Sequence, residues 1–231
     1  MKKDELEKKV KAKEDLKGLD LEKAKLKGAN LRKAQLKEAN LDRADLRGTD
    51  LRGADLDKAS FERANLIQAE LRGASLKQSN LTEALLHKAD FRDVNIERSV
   101  LEEAELNHSD FQGAKLERCD LTRAQLNDGN FRGCDLDYVI LERADLSGAN
   151  LRDTQIRSAN LERANFSGAN LQDADLRKSD LTRAIFTGAN LSGADLRQTN
   201  LEFTDFTDAH GLTEEQIEEI EDQGGKVSKK E

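Results

Sequence analysis

Ala29-Asn30-Leu31-Arg32-Lys33 and Ala54-Asp55-Leu56-Asp57-Lys58 are two members of an unbroken series in which a bulky apolar residue returns at every fifth position. From Leu16 to Phe206 there are 39 such centres: 30 Leu, seven Phe, and Ile96 and Ile156. In the register two residues before the centre, 25 of the 38 positions from Ala24 to Ala209 are Ala, and the rest are small or medium residues such as Thr49, Ser79, Val94, Cys119, Gly129 and Cys134. Asp or Asn stands directly before the centre at 25 of the 39 positions from Asp20 to His210, and the two residues after it are mostly charged, polar or Gly.

A period of five fits neither a helix nor a flat strand. On a helix a step of five turns about 140°, which would scatter the centres around the whole circumference. The chain must instead turn a corner every five residues, pointing one bulky and one small residue inward from each short side. Asp and Asn suit the corners because their side chains bond to nearby backbone amides. The pattern predicts a solenoid in which each unit buries its centre against its neighbours.

The Ala-(Asp/Asn)-Leu-x-x units quoted above resemble those of pentapeptide-repeat proteins, and the resemblance covers roughly residues 16–210. It implies an all-β solenoid: a right-handed, four-sided parallel β-helix with twenty residues to the coil. Two features of the sequence support four sides independently. At a spacing of twenty, Phe91, Phe111 and Phe131 stack in one column and Phe166, Phe186 and Phe206 in another. Gly in the second position after the centre clusters in the columns of Gly48 and Gly53 and is missing from that of Arg43. The 39 units make about ten coils, and at about 4.8 Å per coil the rod is roughly 47 Å long.

Composition narrows the alternatives. Hydrophobic residues are 36% of the 231 and charged residues another 36%, with no Pro and no Trp, which excludes a broad aromatic core. The longest apolar run, Tyr138 to Leu141, is far too short to span a bilayer, so no membrane association is expected. No apolar leader follows Met1-Lys2-Lys3, and the expected compartment is the cytoplasm, although a trimmed mature chain would look the same.

The expected division is a charged N-terminal helical cap at 1–13, the β-helix at 14–210, and a capping helix with a polar tail at 211–231. Asp4 and Glu7 suggest a helix start, and Thr213-Glu214-Glu215-Gln216 reads as a capping box, with Gly224-Gly225 as the stop. Phe203, Phe206, Leu212, Ile217 and Ile220 form an apolar C-terminal end that serves either as a monomer's cap or as an end-to-end homodimer contact. Phe203 is expected to pack against Leu212, Ile217 or Ile220.

Chemistry is sparse. Cys119 and Cys134 fall in the small inward column and read as buried packing residues. His87 and His108 share a side on neighbouring coils but have no third ligand beside them, so neither metal nor cofactor is expected. No nucleotide-binding or hydrolase motif occurs, and carboxylates on a convex rod have no cleft to tune them, which argues against an enzyme.

Charge is the remaining signal. Net charge is −8, with 29 Lys/Arg and 36 Asp/Glu inside residues 14–210. One side pairs an acidic column, including Glu62 and Glu102, with a basic one containing Arg43 and Arg63; Glu103 stands in the basic register. Arg43, Arg63, Glu102 and Glu103 are therefore candidates for a partner surface, together with Val100, Tyr138 and Ile140, which break the polar exterior near one corner. A stripe of Arg32, Arg52, Arg72 and Arg92 repeats at coil spacing, but acidic neighbours and missing aromatics argue against direct nucleic-acid binding. The resemblance adds one mechanism: some pentapeptide-repeat proteins of the quinolone-protection type are dimeric rods that mimic B-DNA and bind DNA gyrase. The expected function is a non-enzymatic scaffold or protein-interaction rod. The alternatives are a DNA-mimic modulator of gyrase and a consensus-like structural solenoid without a selected partner.

Overall fold

The computed structural model describes residues 1–228, so the last three residues of the expected polar tail lie outside the described residues. Its body is a stack of coils held by parallel bridges between residues twenty apart, from Asp15 with Gln35 to Asn190 with His210. Each side contributes only one bridged residue before the chain turns, so the ladder is built of single bridges and not of extended strands. Four faces result, named here by their first centres: Leu16, Leu21, Leu26 and Leu31.

Around Leu21 and the next centre on its face, each N–H register of the five-residue side has a destination. The centre donates to the coil that follows, 2.7 Å from Leu21 N to Asn40 O. Lys23 N does the same to Asp42 O at 2.8 Å, and Ala24 N closes a turn back to Leu21 O at 2.9 Å. Asn40 N, before the next centre on that face, donates backward to Leu19 O at 3.0 Å. The remaining donor, Glu22 N, goes to Asp20 Oδ1 at 3.1 Å, the Asx bond that the Asp/Asn preference implies.

At three positions where that Asp or Asn is missing, the preceding coil supplies the acceptor. Ser60, Ser75 and Gln155 occupy cap positions, and the orphaned amides of Glu62, Lys77 and Arg157 each donate to a carboxylate twenty residues earlier: Asp42, Asp57 and Asp137, all at 2.9 Å.

The turn that closes on the centre is of type II, with its third residue at positive φ. All 39 of these positions from Gly18 to Asp208 are left-handed, and 28 carry a side chain, from Lys23 at φ 56° to Asp208 at 57°. A non-Gly residue there costs about 1–2 kcal/mol, comparable to the roughly 1.5–3 kcal/mol gained by burying one Leu.

The core is a column of centres and small residues. The seven central Phe residues are among the largest fully buried side chains. Phe91, Phe111 and Phe131 stack at centroid spacings of 4.4 and 4.9 Å, and Phe166, Phe186 and Phe206 at 4.8 Å each. Several polar members of the small column find carbonyls on the coil before: Thr49 Oγ1 donates to Leu26 O at 2.9 Å, Cys119 Sγ to Ile96 O at 2.9 Å, and Cys134 Sγ to Phe111 O at 2.8 Å.

Helix α1, Lys3–Lys11, lies at the N-terminal end. It starts one residue before Asp4, and its N-cap Lys2 makes no side-chain cap bond, so Asp4 is a first-turn residue and not the cap. Leu6 is fully buried, Glu7 accepts the Asn30 N–H at 2.7 Å, and Lys3 Nζ donates to Gly28 O at 2.9 Å. At the other end come β1 (Asp205–Phe206), α2 (Glu214–Asp222) and β2 (Lys226–Val227), with β2 pairing parallel to β1. The capping box on α2 is formed in both directions. Its C-terminus is a Schellman turn: Gly224 sits at φ 80° and Gly225 N donates to Ile220 O at 2.8 Å. Among the described residues no helix is long and apolar enough to cross a membrane.

Two outcomes test this packing. Gly129 occupies a register where Ala is commonest, yet a Cβ there would meet Phe131 Cε2 at 2.7 Å and Leu126 O at 2.9 Å. Gly129→Ala is expected to destabilise by about 1–3 kcal/mol in chemical denaturation, and adding Phe131→Leu should restore most of the loss. Burial pushes both thiols up to about 12. Cys119 and Cys134 should therefore be inert to an aromatic disulfide reagent in the native protein at mildly alkaline pH and react fully in denaturant. Because folding holds the thiols protonated, their contribution to stability is complete below the ordinary thiol pKa of 9.0 and declines as pH rises toward 12.

Candidate interaction surfaces

On the Leu21 face several charges are paired, although the face keeps an acidic excess. Arg63 clasps Glu83 on the next coil with two bonds, Nε to Oε2 at 2.8 Å and Nη2 to Oε1 at 2.7 Å. Arg123 Nη1 donates to Glu103 Oε1 at 3.1 Å, and Arg43 lies 4.0 Å from Glu22. Glu102 is half-buried, and its carbonyl accepts the Glu83 N–H at 2.9 Å. Exposed pairs of this kind are each worth about 0–1 kcal/mol, and the Arg63–Glu83 and Arg123–Glu103 pairs lie within the basic register, where Glu83 and Glu103 interrupt the Arg column.

Val100 and Ile140 are bridged through Asp120 in one ladder and stay 37% and 38% exposed. Tyr138 occupies a left-handed turn position, which aims its ring outward; it is 50% exposed, with the Arg118 guanidinium 4.9 Å above the ring. Tyr138 also borders an open groove of about 760 Å³ along the Leu16 face, together with Arg157, Arg177, Lys178 and Arg197. Asp137, almost buried, binds Arg157 through its backbone N–H, Nε and Nη2. Arg177 and Arg197 are forked onto Asp175 and Asp195. This Arg ladder escaped the sequence reading, although Arg157, Arg177 and Arg197 stand twenty apart.

At the C-terminal end, Ile220 is fully buried, Leu212 and Ile217 are half-buried, and Phe206 closes its aromatic stack at 1% exposure. Phe203 departs from expectation: it is 58% exposed, with Arg183 5.4 Å over its ring. The cause is its backbone, since φ 57° puts it at an outward turn position.

Among the described residues no group of three or more His, Cys, Asp or Glu is arranged to hold a metal ion. His87 Nε2 lies 2.7 Å from Glu105 Oε2, and His108 Nδ1 lies 3.6 Å from Asp128.

The Asp-x-Arg forks have a signature in acid. The Arg52 and Arg92 guanidiniums hold the carboxyls of Asp50 and Asp90 below the usual carboxylate value of 3.8. Stability gained this way is present above that value and is lost as pH falls through the folded pKa. The melting temperature is expected to drop below about pH 4, and an Arg52→Gln/Arg92→Gln variant should show a shallower drop in a pH series of melts.

Two family signatures match the chain: Pentapeptide repeats, in eight copies, over residues 15–53, 44–83, 124–163, 144–183 and 184–210, and the Pentapeptide repeat region over 64–141. No curated protein matches it. Among solved structures, HetL, a pentapeptide repeat protein involved in heterocyst differentiation regulation from the cyanobacterium Nostoc sp. strain PCC 7120, is 29% identical. That match covers 92% of this chain and 99% of HetL, with a TM-score of 0.44. Trypsin-treated QnrB1, a plasmid-mediated fluoroquinolone resistance protein, is 17% identical over 92% of this chain and 88% of its own, with a TM-score of 0.56. Rfr23 from the cyanobacterium Cyanothece 51142 is 23% identical over 65% and 84%, with a TM-score of 0.27. With the five-residue repeat, the twenty-residue ladder and signatures that run from residue 15 to 210, the chain belongs to the pentapeptide repeat family and is a right-handed β-helix solenoid.

Proposed function

We propose that this protein is a non-enzymatic scaffold, a rod of about ten coils over residues 14–210 with an N-terminal cap at 1–13 and a capping helix followed by a polar tail within 211–231, that binds a protein partner. The observation that carries this reading is Tyr138. It is a half-exposed aromatic on a polar rod, next to exposed Val100 and Ile140 on one side and an Arg-lined groove on the other. Exposed aromatic and Arg residues are the types that anchor interfaces. Three exposed apolar side chains gather near this corner, so their burial has much to offer a partner.

A second reading, a DNA-mimic modulator of DNA gyrase, draws support from the net charge of −8 and from the likeness in fold to a fluoroquinolone resistance protein. The Arg63–Glu83 and Arg123–Glu103 pairs weaken it, because a DNA mimic needs an uninterrupted acidic field. The regularity of the repeat also fits a structural solenoid with no selected partner.

The test is affinity capture with the wild-type rod and with a Val100→Ser/Tyr138→Ser/Ile140→Ser variant of equal melting temperature. The scaffold reading expects a protein held by the wild type and lost by the variant; equal retention overturns this surface. In parallel, a gyrase supercoiling assay with and without a fluoroquinolone, at low and high salt, decides the second reading. No effect at either salt removes it, and salt-sensitive inhibition or drug protection promotes it.

A further inference from the structure

In a complete coil the centre N–H and the N–H two residues later donate to carbonyls of the coil that follows. On the Leu16 face Leu176 N donates to Asp195 O at 2.9 Å and Lys178 N to Arg197 O at 3.2 Å. The last coil has no successor, and three faces meet its edge only in part, with Gly193 N and Phe203 N left without a hydrogen-bond partner among the described residues. On the Leu26 face β2 runs beside β1, and Asp208 N donates to Ser228 Oγ at 2.7 Å. On the Leu21 face Leu201 N donates to Gln223 Oε1 at 2.9 Å, and Lys226 N reaches Thr204 O at 2.8 Å. On the Leu31 face Leu191 N donates to His210 O at 2.7 Å.

The Leu16 face is left open. The N–H groups of Leu196 and Gln198 have no hydrogen-bond partner among the described residues. Helix α2 does not lie on them. Its Gln216 Nε2 is tied to Ala194 O at 2.9 Å, and between helix and coil edge remains a cleft of about 480 Å³. Ala194, Leu196 and Leu201 line it with aliphatic surface, and Leu196, at 5%, is one of the two least covered centres in the rod. Three carboxylates, Asp195, Glu215 and Glu219, line the cleft against one guanidinium, Arg197, which is already bound to Asp195.

An open strand edge with two unmet donors, an apolar seat and acidic walls has the requirements of strand addition. We propose that this cleft takes up an extended segment of a partner protein, which adds as a parallel strand to the edge at 195–198. The segment presents an aliphatic side chain over Leu196, carbonyls on the residues before and after it to Leu196 N and Gln198 N, and flanking Lys or Arg to Glu215 and Glu219. Those two carbonyls repeat what Asp195 O and Arg197 O do for Leu176 and Lys178 one coil earlier. The proposal rests on the reading of the chain as an interaction rod and uses the coil edge, which meets the Arg groove at Arg197 and Gln198 but does not include Val100, Tyr138 or Ile140.

The probe is a synthetic ten-residue peptide with the sequence of residues 27–36, which sets Leu31 between Asn30 and Arg32 and carries Lys27 and Lys33. Amide hydrogen exchange is followed by NMR on the labelled full chain. In the free protein Leu196 and Gln198 should exchange fast while Leu176 and Lys178 are protected. Saturating peptide should slow the first two by about tenfold or more. A Glu215→Lys/Glu219→Lys variant should bind the peptide about tenfold more weakly, and a peptide with Asp in place of its central Leu should give no protection. Slow exchange at Leu196 and Gln198 in the free protein, or no change with peptide up to about 1 mM, overturns the proposal. The triple-serine variant of the Tyr138 corner keeps the two readings apart. Peptide protection without partner capture sinks the corner alone, and capture without peptide protection sinks the cleft alone.

Discussion

Every side of this rod has five backbone N–H groups to satisfy and too few residues to do so with a strand. One bond closes the turn, two point to the coil ahead, one to the coil behind, and the last is taken by the side chain of the Asp or Asn where one precedes the centre. The arrangement requires a left-handed residue at each corner, and 28 of those corners pay for it without glycine. That cost is of the same order as the gain from burying a single Leu, about 1.5–3 kcal/mol. The centre position therefore has little freedom, which explains why all 39 are Leu, Ile or Phe while the outward positions vary widely.

The same backbone logic separates what could be read in the sequence from what could not. The corners, the inward column and the two aromatic stacks follow from spacing alone, because stacking at a period of twenty leaves Phe91, Phe111 and Phe131 nowhere else to go. The Asx bonds were legible from residue type. The left-handed corners were not, since Lys23 or Arg43 carries no local sign of positive φ. Phe203 stands at an outward position by its register, and the cap does not fold over it as expected. The substitution of Asp42, Asp57 and Asp137 for absent caps was hidden for another reason: donor and acceptor are twenty residues apart, and only the coil makes them neighbours. The candidate surfaces were half legible. Tyr138 stood out as an exception to the polar exterior, whereas the groove beside it depends on which way each guanidinium is drawn by its Asp.

Charge in this protein is spent mainly on itself. Asp-x-Arg forks on one coil and Arg–Glu clasps between coils turn part of the nominal ionic surface into paired units. An excess of eight negative charges then says little about any one face. Local geometry distinguishes the Leu16 face, whose groove gathers Arg157, Arg177, Lys178 and Arg197 beside an aromatic ring and runs toward the unfinished edge at Leu196.

The bridges join residues twenty apart, yet the sequence repeats every five. The two periods have different consequences for how such a gene can change length. Loss or gain of twenty residues removes or adds one coil and leaves every column intact. Loss of five keeps each centre buried and each turn closed, so the chain still folds, but everything beyond the junction is rotated by a quarter turn about the axis. A deletion of one repeat near residue 120 would carry the Arg157, Arg177 and Arg197 column onto a neighbouring face. Folding polices the five-residue frame; only a surface with a task to perform can police the twenty-residue one.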